Sequence, residues 1–275
     1  MLTWIQIVFD KIILLTDLDG TLLSHENFDF SPIKHKILAL LDRGIVIIPA
    51  SSKTQAEITL FCSELGRSLP FIYENGAGFA NAHLLGSDTI VPTYGVPVSQ
   101  LKDRWETQIS HKLQKYCIFL SSMTEKEQME YLGLEGKNLF CALARQFSLP
   151  FVFDGPEKTI SELKHEASLA GLTVQSGGRI LNLSGLHNKA SYLNFIRRTV
   201  AKKVQISKIV SFGDSENDME MLIGSDVACI IPRPNQKHLH IDNSKNKVIK
   251  TTRVAPLGWI DAASEAIKFL ESELV

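Results

Sequence analysis

Residues 11–23 read "KIILLTDLDGTLL". The run Ile12 to Leu15 is apolar and β-prone, the pattern of a strand buried on both faces of a parallel sheet. It drives straight into Asp17 and Asp19, followed by Gly20 and Thr21. Residues i and i+2 of a strand point to the same side, so the two carboxylates can address one pocket. In open parallel sheets that pocket lies beyond the carboxyl ends of the strands. Two acids held so close repel unless a cation or a proton sits between them. A donor set made only of oxygens suits a hard ion such as Mg²⁺.

The flanking sequence repeats this strand-then-helix pattern. "SPIKHKILALLDRG" (31–44) predicts a helix with Ser31 as N-cap, Pro32 in its first turn and Gly44 at its exit. "IVIIPA" (45–50) predicts a buried strand, and "TQAEITLFCSELG" (54–66) a helix opened by a Thr54–Glu57 capping box. "PFIYENGAG" (70–78) predicts a third strand running into a glycine-rich turn. Near the C-terminus "SKIVSFGD" (207–214) is a strand ending in Asp214, "SENDMEMLIG" a short helix, and "DVACII" (226–231) another strand. An amphipathic helix, "GWIDAASEAIKFLESEL", closes the chain. Strands joined by helices imply a doubly wound parallel α/β sheet. The stretch between differs: a proline-rich "VPTYGVPVS", the helical "EGKNLFCALARQF", and strands near 117–120, 150–153 and 179–183. The expected organisation is a core from 1–83 and 183–275 around an inserted α/β module, 84–182.

Composition excludes several classes. With 44% hydrophobic and 21% charged residues and a net charge of −1, the 275-residue chain gives no electrostatic reason to bind nucleic acid or an anionic membrane. "MLTWIQIVFDKIILL" is apolar but interrupted by Asp10 and Lys11, and lacks the basic start and small-residue cleavage site of a signal peptide. Nothing reaches the roughly 18 uninterrupted apolar residues of a membrane span. Cys62, Cys117, Cys141 and Cys229 are scattered without CxxC spacing, so each reads as a small packed thiol in a reducing cytoplasm. His238 and His240 lie in a polar loop with no third ligand in view. The expected state is a monomer or homodimer.

"DLDGT" (17–21), a strand ending in Ser51, Lys189 and "GDSENDMEML" (213–222) together resemble the four motifs of the haloacid dehalogenase superfamily of phosphatases. The resemblance implies a Rossmann-like core with a C2B-type cap between the second and third motifs. It further implies that Asp17 attacks phosphorus and that Asp19 protonates the leaving oxygen and then activates water. Ser51 would hydrogen-bond a phosphoryl oxygen, and Lys189 would neutralise charge. Asp17, Asp214 and the Asp19 carbonyl would hold Mg²⁺, with Asn217 and Asp218 steadying its waters or Lys189. Ser51 and Ser52 could each instead cap the next helix, Lys189 could be a solvated lysine, and Asn217 could be a helix-terminal residue without function.

"SSKTQAEI" (51–58), "PFIYENGAG", "ALARQFSLPF" (142–151) and "SGGRILNLSGLHNKA" (176–190) are similar to the mannosyl-3-phosphoglycerate phosphatase family. That similarity brings in Ser52, Lys53, Asn75, Arg145 and Arg179 as substrate contacts. Arg179, behind a Gly-Gly turn, is the leading candidate to grip a carboxylate in a fork. The chain departs from the family pattern at Gln146, Leu149 and Asn182, all in the part that selects substrate. The resemblance therefore implies a phosphorylated sugar-glycerate substrate, with a broader sugar-phosphate phosphatase, a phosphomutase or a non-catalytic phosphate sensor as alternatives.

Overall fold

The computed structural model describes residues 11–87, 90–177, 180–201, 207–234, 239–241 and 246–273. The first half of the core runs β1 (Lys11–Thr16), a 3₁₀ turn (Ser31–Ile33), α1 (Lys34–Asp42), β2 (Val46–Pro49), α2 (Gln55–Leu65), β3 (Phe71–Tyr73) and β4 (Gly78–Ala80). The insert holds α3 (Val98–Gln108), α4 (His111–Gln114), β5 (Cys117–Phe119), α5 (Glu125–Leu132), α6 (Gly136–Leu143), β6 (Ser148–Phe153), α7 (Lys158–Leu169), β7 (Leu172–Gly177) and β8 (Ile180–Gly185). The chain returns through α8 (Leu193–Ala201), β9 (Ser207–Gly213), α9 (Met219–Ile223), β10 (Val227–Ile230), β11 (Lys247–Lys250) and α10 (Leu257–Ser272).

The core sheet has the order β11-β10-β9-β1-β2 and is parallel throughout. β1 lies at its centre, with Leu14 opposite Ile47 on one side and Val210 on the other. Its alternate side chains feed two apolar clusters. Ile12 and Leu14 pack with α1, α2 and α10, while Ile13 and Leu15 pack with Tyr192 and Ile196 at and within α8. Burying each such aliphatic side chain stabilises by about 2 kcal/mol, which is why the strand is apolar without interruption. Trp259 of α10, fully buried, donates from Nε1 to Thr16 Oγ1 (2.9 Å) and so ties that helix to the end of β1.

The insert forms its own four-stranded antiparallel sheet, β5-β6-β8-β7, over a cluster including Leu101, Trp105, Phe151, Leu163, Leu172 and Leu183. β8 continues to Gly185, past the expected boundary at 182. Among the described residues no helix is long and apolar enough to cross a membrane. All four cysteines are free thiols.

The Thr54–Glu57 capping box and the left-handed Gly66 exit of α2 form as the sequence predicts. Ser31 does not cap α1. Its amide instead donates to Asp29 Oδ1 (2.8 Å) and its hydroxyl to Asp29 Oδ2 (3.0 Å), because a carboxylate two residues back is the stronger acceptor. The helix expected through "EGKNLFCALARQF" stops at Leu143, where the chain turns to bring Arg145 and Ser148 against the core.

Candidate active site

Asp17 follows β1 directly, and its amide donates to Phe212 O on β9 (3.0 Å), extending the sheet pairing by one residue. Leu18 and Leu22 are fully buried, so the loop is anchored by its leucines while its acids turn to the cavity. Gly20 has φ +80°, and a Cβ there would lie 2.5 Å from Asp214 Oδ2. Only glycine allows both that backbone and that approach. Thr21 Oγ1 donates to Asp17 Oδ2 (3.2 Å).

Lys189 reaches the same point from the far side. Gly76, at φ +98°, lets the Asn188 carbonyl lie where its Cβ would be, 1.8 Å away, and this close crossing seats the neighbouring lysine. Lys189 is 2% exposed; its Nζ lies 2.6 Å from Asp17 Oδ1 and 2.7 Å from Asp218 Oδ1. Burial disfavours its charge, but the two carboxylates more than offset this and hold the ammonium above the ordinary lysine range. Burial likewise pushes the Asp17 carboxyl up, to about 8, with Lys189 pulling the other way and Asp218, Asp214 and Asp19 adding to the rise. Both partners of one ion pair are thus shifted upward. Lys189, facing two acids, keeps its proton, and Asp17 is the partner short of positive charge.

Asp214, Asp17 and Asp218 bring carboxylate oxygens within 4.8 Å of one another. They are not equivalent. Asp218 accepts from Lys189 at Oδ1 and from the amides of Asp214 (3.0 Å) and Ser215 (3.1 Å) at Oδ2, so it braces both the lysine and the loop. Asp214 keeps a buried Oδ1 with no partner, while its Oδ2 meets Arg233 Nε at 2.5 Å. Burial raises the Asp214 carboxyl, against the pull of Arg233. An orphaned buried carboxylate oxygen beside Asp17 is what a hard divalent cation would complete, so the donor set fits Mg²⁺ with Asp17 and Asp214 as its side-chain ligands. Asp19 stands apart from that cluster: its Oδ2 pairs with Lys53 Nζ (3.0 Å) and its Oδ1 is buried without a partner.

A cavity of about 920 Å³ opens above this floor, between core and insert, and Asp17, Asp19, Lys189 and Asp214 line it. Ser52, Lys53, Asn75, Arg145 and Asn217 line it too. Lys53 lies between Asp19 and Glu57 (3.8 Å) with its Nζ 4.5 Å from the Phe28 ring centroid, and the two acids hold its charge despite burial. Asn75, at φ 57°, donates from Nδ2 to Gln175 Oε1 on β7 (3.0 Å) and so bridges core to insert. Asn217 accepts from Ser215 Oγ (2.5 Å) and is exposed. Ser51 is 1% exposed and lies beneath the cavity wall, its hydroxyl accepting from the Lys53 amide (3.3 Å). Arg179 and His238 fall outside the described residues, and His240 lines the cavity rim.

Two residues escape a reading of the sequence. Arg233 follows β10 at the edge where the sheet's ligands gather, and its position in "IIPRP" just past a buried strand was the available signal. Glu74 is 2% exposed, with its carboxylate accepting from the amides of Gln146 (2.8 Å) and Phe147 (3.0 Å) and from Ser148 Oγ (2.5 Å). Nothing local marks a turn glutamate as buried.

The chain belongs to the haloacid dehalogenase-like hydrolases, whose family profile matches residues 14–131 and 146–241. It is 27% identical over 271 residues to a glucosyl-3-phosphoglycerate/mannosyl-3-phosphoglycerate phosphatase of Persephonella marina, covering 94% of this chain and 98% of the relative. A protein of the same description from Methanococcoides burtonii is 23% identical over 270 residues, covering 94% and 97%. Among solved structures, a phosphatase of the haloalkanoate enzyme superfamily from Bacteroides thetaiotaomicron superposes with a TM-score of 0.64 at 18% identity. The match covers 96% of this chain and 95% of that one and bears on the fold.

Proposed function

We propose that the protein is a Mg²⁺-dependent phosphatase that hydrolyses mannosyl-3-phosphoglycerate to mannosylglycerate and phosphate. The observation that carries this reading is Asp17, buried between Lys189 and the orphaned oxygen of Asp214 on the floor of a cavity roofed by the insert. The similarity to the two relatives over nearly their whole length supports the substrate. A cap of residues 84–182 on a core of 1–83 and 183–275, and a reducing, cytoplasmic setting, belong to the same reading.

In the proposed reaction Asp17 attacks phosphorus, forming an O–P bond as the bond to the substrate's oxygen breaks. Asp19 gives that oxygen its proton, held near the reacting atoms by Lys53. Water then displaces phosphate from the aspartyl-phosphate, with Asp19 taking its proton and Asp17 restored. Lys189 offsets charge on Asp17 and the phosphoryl oxygens, and Asp218 fixes Lys189 and the Asp214 loop. Asp17, Asp214 and the Asp19 carbonyl would hold Mg²⁺, which would supply positive charge beside the buried Asp17 carboxylate. Ser51, whose hydroxyl accepts from the Lys53 amide (3.3 Å), hydrogen-bonds a phosphoryl oxygen in this reading.

Phosphate release from mannosyl- and glucosyl-3-phosphoglycerate, hexose phosphates and p-nitrophenyl phosphate tests the proposal. The expected result is a preference for the glycosyl-3-phosphoglycerates that is lost in chelator, restored by Mg²⁺, and absent in a folded Asp17→Asn variant. Preference for plain hexose phosphates would assign the protein to the broader sugar phosphatases, and full activity in chelator would overturn the metal.

A further inference from the structure

The cations around the cavity differ in what balances them. Lys189 faces Asp17 and Asp218, Lys53 faces Asp19 and Glu57, and Arg233 faces Asp214. Arg145 has no carboxylate partner among the described residues, although it lines the same cavity. Its guanidinium is nevertheless fixed. Nε donates to Ala142 O (3.1 Å), and Nη1 to Ser148 Oγ (3.0 Å) and to Ser52 O (3.3 Å). No acceptor among the described residues takes Nη2.

Three neutral acceptors thus orient a half-buried cation without neutralising it. Ser148 accepts from Arg145 because its own proton goes to Glu74 (2.5 Å), so the buried Glu74 carboxylate orders the guanidinium from one residue behind. A charge held rigidly at a cavity wall with an open N–H edge is built for an anion on the ligand. The phosphate is not that anion, because the reacting group must sit on Asp17, where Lys189 and the metal site already meet it. The contact with Ser52 O puts Arg145 at the seam where the insert overhangs the core, so the second anion belongs to the leaving part of the substrate.

We infer that Arg145 is the specificity-determining residue that grips a carboxylate on the leaving group, with Ser148 and Glu74 as its positioning residues. The substrate class is a phosphate ester of a hydroxy acid. This deepens the function proposed above and rests on it for the identity of the phosphoryl site. A planar guanidinium edge matches a carboxylate in two parallel hydrogen bonds, which a lysine cannot reproduce.

The test compares 3-phosphoglycerate with glycerol 3-phosphate, which differ only in carboxylate against hydroxymethyl. The readout is the ratio of their kcat/KM values in wild type, Arg145→Met, Arg145→Lys and Ser148→Ala. We expect wild type to favour the carboxylate and Arg145→Met to lower that ratio roughly 10- to 100-fold, the worth of a hydrogen-bonded charge pair. Arg145→Lys should recover part of it, and Ser148→Ala should raise KM for 3-phosphoglycerate with little effect on kcat. A wild type indifferent to the carboxylate, or a ratio unmoved in Arg145→Met, would overturn the inference, as would equal losses on both esters. If the ratio depends on Arg145 but glycosyl-3-phosphoglycerates are poor substrates, the carboxylate site stands and only the fuller substrate assignment falls.

Discussion

Asp17 and Asp218 grip the same ammonium: Lys189 Nζ lies 2.6 Å from one carboxylate and 2.7 Å from the other, with all three side chains buried. The cation is what lets two acids share the interior. Lys189→Met should therefore cost about 3–5 kcal/mol of stability, because removing one member of a buried ionic cluster leaves the others uncompensated. Urea denaturation in chelator measures this, and an Asp218→Asn change in the same background should recover part of the loss. Turnover should be absent in both.

Gly20→Ala should separate stability from metal binding. The φ of +80° costs a non-glycine residue on the order of 1 kcal/mol, so the protein should still fold. The new methyl, however, meets Asp214 Oδ2 and must push that carboxylate away from Asp17. The expected outcome is Mg²⁺ affinity weakened at least tenfold by titration calorimetry, with a shift in melting temperature of only a few degrees. Unchanged Mg²⁺ binding would show that Asp214 is not a ligand.

His187 supplies a pH dependence away from the Asp17–Asp214–Asp218 cluster. It is buried, its Nε2 lies 3.1 Å from Glu74 O, and burial holds its pKa below the ordinary 6.5. A depressed folded pKa contributes stability that is complete above pH 6.5 and is lost as pH falls below it towards the folded value. Denaturation midpoints should thus decline below about pH 6.5, and His187→Gln, which keeps a side-chain donor for Glu74 O, should flatten the decline.

Glu74 carries the seam between core and insert. Its left-handed backbone (φ 47°) costs energy that the hydrogen bonds from Gln146, Phe147 and Ser148 offset. Glu74→Ala strands three donors. We expect about 2–4 kcal/mol of destabilisation and faster amide hydrogen exchange at Gln146 and Phe147, with Glu74→Gln milder. Exchange unchanged at those amides would mean that the seam is held elsewhere.

Much of this site was legible because its parts are local. A buried strand that ends in acid is visible as a run of letters, so Asp17, Asp19 and Asp214 could be found without a structure, and the Thr54 capping box likewise. β7 and β11 were not. "LTVQSG" alternates with polar residues because one face meets Asn75 and the cavity, and "KVIK" is a four-residue edge strand whose lysines blunt it against further pairing. Glu74 and Ser148 were illegible for another reason. Each is ordinary in its own segment, and only the docking of the insert makes them partners.

The pairing of β1 with β9 joins strands nearly 200 residues apart, with the whole insert lying between them. Asp17 emerges early in synthesis, whereas Lys189, Asp214 and Arg233 arrive only after the insert has been made. A growing chain therefore exposes β1 and β2 as an unpaired sheet fragment with apolar edges, and long-range parallel pairing is slow to form. The insert, closed by antiparallel neighbours, has the shorter route to its own fold. The site is then assembled as the last act of folding, and truncation anywhere before Lys189 leaves Asp17 without its counter-charge.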